Sequence, residues 1–430
     1  MSLRIVVITV FIFTCICASA GCTTPGGESG RSSDGVEPAS NAEAQTDAVD
    51  QRGAEASGIG GRVFVVERAS ESLAVYDFID RKLLDKRIGG LGNMRHATMA
   101  FSPDLKWGYV ATRNGKLSRI NLETLERDGD VFTSENSIDI AISQDGRFIA
   151  TAEYDPGGVT ILDARTLEVV KRIEATYADG DKSAASRVTG IVDAPGNRFV
   201  CVMMEGREIW VIDASKPGFP IEHRIEPADD GLPYDAMITP DGRTYVVGHL
   251  GTSAISKVDL TRPEDGATKV SLRDPDADYE KDAPDKLPHM ASWAVAGDHV
   301  FVPLVGEPRL AVLDRHSFEF VDSVELAGPP VYAVRSPNEQ HIWVSFSGEE
   351  HDAKVQVVDA ETLEVERTLE IGGRIYHMDF TPRGSQVLVS ANRANKLFLV
   401  DATSFEIIDE QPVNSPSGVF GLWRAYQIGL

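Results

Sequence analysis

Cysteine is the scarcest chemically informative residue in this chain. There are four among 430 residues. Cys15 and Cys17 lie in the apolar N-terminal run, and Cys22 follows it directly. Only Cys201 remains, inside the strand-like run from Phe199 to Met204, where a buried strand residue is expected. A disulfide framework and a cysteine metal site are therefore excluded, and without a Cys-x-x-Cys-His segment so is a covalently attached c-type haem. No glycine-rich Rossmann fingerprint is present, which argues against a built-in nicotinamide cofactor. Positive charge is also in deficit. The net charge of −24 opposes binding to nucleic acid phosphates, although local basic residues can still recognise a carboxylate ligand. The longest apolar run, Ile5 to Ala18, is too short for a comfortable membrane span.

That run has a different use. Arg4 precedes it and Ser19-Ala-Gly-Cys22 follows, the layout of an export signal with a small-residue cleavage site. Gly21-Cys22 resembles a bacterial lipobox, with Ser19 where leucine is usual. Residues 1–21 are thus expected to be a lipoprotein-type signal peptide, with a lipid anchor on Cys22 and a periplasmic location. A plain secretory signal cut near Ala20 is the other reading. Residues 22–58 are rich in Gly, Ser, Ala, Glu, Asp and Pro and cannot bury a core, so a disordered tether is expected.

From residue 59 to 430 the chain repeats at about 40 to 50 residues, the range of propeller blades. One signature is a Pro/Asp/Gly turn between β-branched runs: Ala100 to Asp104, Ala141 to Arg147 and Met237 to Arg243, with weaker copies at Ala194, Arg335 and Thr381. These read as hairpins. The second signature, some 18 to 23 residues later by the same hairpin logic, is strand, Asp-started turn, strand: Ile161 to Glu168, Val357 to Glu364 and Leu399 to Glu406. One unit is four antiparallel strands, A to D, and radial stacking covers both faces of each sheet. Strand A is expected near His96, Ser137, Val188, Pro233, Met290, Pro330 and Ile375. Residues 62 to 90 add three strands, up to Leu83–Ile88, and residues 417 to 428 add one. The expected fold is all-β, an eight-bladed β-propeller whose N- and C-terminal strands share one blade.

The strand order assigns faces. The A–B and C–D turns share the bottom, and the B–C loops and D–A links share the top, where the segments are long and irregular: Tyr177 to Arg187, Glu226 to Pro233 and Arg273 to Leu287. Function concentrates in such loops on a rigid scaffold. His96, Arg187, Tyr234, His289, Arg374 and Tyr376 fall where A strands enter the channel, with His377 one step further in. The B–C loops bring Arg113, Glu153, Tyr154, Glu205, His249 and Arg393. His299, His341 and His351 are expected on the surface. Arginine suits carboxylates and histidine can ligate a metal, so the mouth is read as a pocket for an anionic, metal-bearing ligand. Taken singly, His96, His249 and His289 are also compatible with capping or packing.

His96-Ala-Thr-Met-Ala-Phe-Ser-Pro-Asp104 with Arg113-Asn-Gly115, the segments Ile142 to Arg147, Tyr154 to Val159 and Asp163 to Glu168, and the C-terminal Pro416 to Phe420 and Arg424 to Leu430 resemble the cytochrome d1-type haem-domain family, in its haem d1 biosynthesis branch. The resemblance runs from about residue 60 to the end. It implies non-covalent binding of haem d1 or its dihydro precursor, with His96 as iron ligand, and a late biosynthetic step, dehydrogenation of a propionate to the acrylate. In that reading Arg113, Arg187, His249, His289, Arg374 and Arg393 bind the tetrapyrrole. His96, Tyr154, Tyr234 and Asp235 are the catalytic candidates. Partners would be other haem d1 pathway proteins and an electron acceptor such as a c-type cytochrome. The family's nitrite reductases carry distal histidines; the corresponding segments here, Ile191 to Pro195 and Leu232 to Asp235, have none, which argues against that activity. A non-enzymatic haem d1 carrier and a generic surface propeller are the rival readings.

Overall fold

The computed structural model describes residues 58–274 and 293–429. The signal, the tether, Cys22, Met290 and His289 lie outside the described residues. Eight four-stranded antiparallel sheets are present. In blade 1, Arg62–Glu67, Ser72–Asp77 and Lys82–Leu83 are completed on the inner edge by Pro416–Gly421, so strands from opposite ends of the sequence close the ring. The inner strands of blades 2 to 8 are Thr98–Phe101, Asn136–Ile142, Val188–Ala194, Leu232–Ile238, Ala294–Ala296, Pro330–Arg335 and Ile375–Phe380.

Three details depart from the expectation. The third strand of blade 1 is short, and its continuation towards Ile88 survives as a single bridge from Leu73 to Ile88. Strand A of blade 2 starts at Thr98, so His96 stands in the turn before it. The link Tyr177 to Arg187 is not irregular: Thr176–Asp179 and Lys182–Ala185 pair as a separate two-stranded ribbon.

Both repeat signatures are hydrogen-bonded turns. In the A–B turn the Ser102 hydroxyl donates to Asp104 at 2.7 Å and accepts from Trp107 N–H at 2.9 Å. Ser143 and Thr239 repeat the donation to Asp145 and Asp241. In the C–D turn the Asp163 carboxylate accepts the N–H groups of Arg165 and Thr166, and Asp359 and Asp401 repeat this. Such Asx turns reverse the chain without a ladder partner.

The Pro and Gly of the A–B turns also link neighbouring blades. Gly146 has φ +70°, and a Cβ there would lie 2.8 Å from Pro103 of the preceding blade. Gly242 meets Pro195, and Gly384 meets Pro337, in the same way. Each glycine supplies a left-handed turn and leaves the space into which the neighbour's proline nests. Between blades the core is apolar, with Phe64, Leu73, Phe101, Phe199, Trp210 and Trp343 fully buried.

Candidate functional site

The inner strands are not regular. In six blades the pairing between strands A and B slips by at least one residue near the mouth. The unpaired positions are Ile138, Gly190 with Ile191, Tyr234, Val331, Tyr376, and Ser417 with Gly418. Every one of these residues lines a single cavity of about 480 Å³. A bulge breaks strict alternation and re-aims side chains. Here that repeated device turns an ordinary strand face into a binding wall. The volume falls within the roughly 300–1,000 Å³ of small-molecule sites.

The cavity brings together His96, Tyr154, Tyr234 and Asp235. His96 is exposed at the entrance with φ +54°, a left-handed conformation that histidine tolerates better than most residues. Tyr234 donates its hydroxyl hydrogen bond to Tyr154, and burial, with Asp235's charge contributing, pushes both phenols upward. Both therefore keep their protons at neutral pH and act as hydrogen-bond donors rather than bases. The guanidinium groups of Arg113 and Arg187 stack on the Tyr154 ring at 4.9 and 5.4 Å. Arg187 is also paired with Glu205, with its Nε–H at 2.6 Å from the carboxylate; that carboxylate is held below its usual range, the arginine outweighing its burial.

Neither Arg113 nor Arg187 is among the residues lining the cavity, and the other predicted positions are also placed elsewhere. His249 is fully buried on the second strand of blade 5, one strand back from the channel. Its Nδ1 faces the Gly231 carbonyl at 3.1 Å and its Nε2 the Ser256 hydroxyl at 2.8 Å. The Gly231 carbonyl can only accept, so Nδ1 carries the hydrogen and donates to it, and Nε2 accepts from Ser256, whose oxygen also accepts Ala228 N–H at 2.8 Å. His249 thereby holds the link that leads into Tyr234 and Asp235, and takes no part in the cavity wall. Arg374 repeats the left-handed φ of His96, at +58°, but is exposed outside the cavity. Arg393 pairs with Asp352 at 2.7 Å, also away from the wall.

Several wall residues carried no clear sequence signal, whereas His377 stands in the wall as expected from its place inside the channel. Arg68 lines the cavity beside Tyr376, with its guanidinium 4.8 Å from that ring. Asp139 and Asp193 line it from blades 3 and 4. At the floor, Tyr332 and His377 approach to 2.7 Å, and Val419 N–H donates to His377 Nδ1 at 3.2 Å. Burial lowers His377 to about 3, so the ring is neutral. With Nδ1 accepting, Nε2 carries the hydrogen and donates to Tyr332, which leaves the Tyr332 proton for another acceptor. The C-terminal segment completes the floor: Arg424 and Gly429 line it, Gly429 N–H donating to Asp193 at 2.8 Å. Among the described residues no group of three or more His, Cys, Asp or Glu is arranged to hold a bare metal ion.

The family model "Cytochrome D1 heme domain" matches residues 60–425. "Protein NirF" of Pseudomonas aeruginosa is 41% identical over 374 residues, 87% of this chain and 94% of that protein. "Dihydro-heme d1 dehydrogenase" of the same organism is 29% identical over 336 residues, 76% of this chain and 64% of the relative. The solved structure "Dihydro-heme d1 dehydrogenase NirN in complex with DHE" shares the fold, with a TM-score of 0.74 at 23% identity, covering 86% of this chain and 77% of that one.

Proposed function

The chain belongs to the cytochrome d1 haem-domain family, and from that premise we propose that its central cavity binds haem d1 or dihydro-haem d1 for haem d1 biosynthesis and dehydrogenates a propionate to the acrylate. The observation that carries this reading is the convergence of His96, Tyr154, Tyr234 and Asp235 on one bulge-lined cavity. Its walls suit a flat amphiphilic ligand. Ile138, Ile140, Ile191, Val331 and Phe420 offer apolar surface, and Arg68 offers a guanidinium group to a carboxylate. The relative named as a dihydro-haem d1 dehydrogenase supports the choice of reaction.

Desaturation converts a CH₂–CH₂ bond to CH=CH and releases two protons and two electrons. Asp235 is the wall carboxylate suited to take a proton, because the two phenols beside it keep theirs. When bound, the tetrapyrrole supplies the redox chemistry. His96 would hold its iron, and the electrons leave to an external acceptor such as a c-type cytochrome. Arg68 would fix a carboxylate so that the reacting side chain meets Asp235.

The test is incubation of the protein with dihydro-haem d1 and an electron acceptor. A product lighter by two hydrogens, lost in His96→Ala and Asp235→Asn, is expected. Binding without turnover would assign a carrier instead, and no spectral change on adding haem d1 would reject both. On the N-terminal sequence alone, we also propose export to the periplasm with a lipid anchor on Cys22. Mass spectrometry of the mature N-terminus checks this, and an unmodified or absent Cys22 overturns it.

A further inference from the structure

The seam between blades 8 and 1 is tied through its backbone. Arg68 N–H donates to the Ser415 carbonyl at 3.2 Å, Ser415 N–H to the Asn395 side chain at 2.9 Å, and Asn414 N–H to Glu67 at 3.2 Å. The Asn414 side chain donates to Ser70 at 2.6 Å. The main chain at Arg68 is thus fixed, but its side chain is not engaged in the same way. Among the described residues Arg68 makes no ion pair and donates no side-chain hydrogen bond. The acid beside it in sequence, Glu67, is already occupied: it pairs with Arg87 at 3.2 Å and accepts from Ser72 at 2.8 Å. The specific contact that the Arg68 guanidinium does make is with the Tyr376 ring of blade 8, at 4.8 Å.

Tyr376 occupies the unpaired position of the slip between Ile375 and His377. It lines the cavity and is 38% exposed, whereas Tyr332 and Phe420 in the same wall are buried. A ring left in contact with water gains little from burial, so its contact with Arg68 is not a by-product of core packing. An aromatic face attracts a cation through its quadrupole but is no substitute for an oxygen acceptor. The guanidinium keeps its fork of N–H donors for a carboxylate. A long side chain loses rotamer freedom when it binds, and a ring that holds it beforehand removes part of that cost.

Arg68 and Asp235 belong to blades 1 and 5, four blades apart in a ring of eight, and both line the cavity. We propose that Tyr376 is a positioning residue for Arg68, and that the pair clamps one ligand carboxylate on the side of the mouth opposite Asp235. This rests on the cavity being a tetrapyrrole site, and deepens that reading. The clamped carboxylate and the side chain that meets Asp235 lie on opposite edges of the macrocycle.

The probes are dihydro-haem d1 and its full methyl ester, titrated by absorption into the full-length protein. Wild type should bind the acid about tenfold more tightly than the ester, and Arg68→Leu should lose most of that preference. Tyr376→Leu should weaken binding of the acid by about threefold, the scale of one exposed cation–π contact, and leave the ester unchanged. Tyr376→Met, a second replacement without a ring, should reproduce this. Tyr376→Phe, which keeps the ring, should bind both ligands as wild type does. Added to Arg68→Leu, Tyr376→Leu should change nothing more, because the ring acts through the arginine. The assignment is overturned if the ring-less variants keep the wild-type preference, if they lose acid and ester equally, or if the double variant loses more than Arg68→Leu alone. A wild type that binds acid and ester alike would remove the clamp and leave the cavity reading standing. A wild type that binds neither would remove the cavity reading, and this inference with it.

Discussion

At the scale of single residues, the molecule separates those that meet a ligand from those that hold them in place. His249 is of the second kind. Its neutral ring spans Gly231 and Ser256, while Arg207 donates to the carbonyls of Asp229, Asp230 and Gly231, and Asp229 accepts from Gly231 N–H and Thr252. The link into Tyr234 is thereby clamped on both sides. His249→Ala should lower stability by about 2 kcal/mol, through a cavity and an orphaned carbonyl, and weaken haem d1 binding less than His96→Ala does. Thermal melts and absorption titrations separate the two effects. Arg68 lines the cavity, so Arg68→Leu should weaken binding of a carboxylated tetrapyrrole by about tenfold, the usual scale for one charge-assisted contact, with the melting temperature unchanged; titration with the ligand and with its methyl ester checks it. The sequence puts both His96 and His249 beside the mouth. What it does not show is that His96 stands exposed in the turn before an inner strand, whereas His249 lies within a second strand and is buried there. Asp139 was hidden for a related reason. Asn136 to Ile142 reads as an ordinary alternating strand, and only the slip at Ile138 presents successive residues to one wall.

At the scale of elements, the turns explain why the fold was legible. Their Ser/Thr, Asp, Pro and Gly are read directly from the sequence because each has a local hydrogen-bonding or backbone duty. What the sequence did not show is that the same Pro and Gly also touch the next blade. Gly242→Ala should therefore cost more than the roughly 1 kcal/mol of an ordinary left-handed turn, because its Cβ meets Pro195 at 2.6 Å. Gly297→Ala, at a left-handed turn position with open space around it, is the control. Denaturant midpoints of the two variants give the comparison. The bulges carried no such signal. Their residues are apolar, aromatic or small, and a register slip depends on pairing between strands rather than on residue type.

At the scale of the whole molecule, closure by Pro416–Gly421 joins blades 8 and 1 through the floor of the cavity. His377 of blade 8 accepts from Val419 there and contacts Tyr332 of blade 7. Its protonation state is tied to the closed ring. In the unfolded chain the imidazole titrates near its ordinary value of 6.5, and in the folded ring it is lowered to about 3. The unfolded state therefore binds the extra proton, and stability falls as pH drops from about 6.5 towards 3. His249, also lowered by burial, adds to the same trend. His377→Gln should flatten this part of the stability profile, measured by denaturant unfolding at each pH.

The closing strand also fixes when the site can exist. The inner edge of blade 1 pairs with residues that lie almost the whole length of the propeller earlier in the chain, and Ser417, Gly418, Phe420, Arg424 and Gly429 are part of the cavity. A chain that has stacked most of its blades but not yet docked its last residues holds no complete pocket, so the cavity comes into being only with the final closing step of folding.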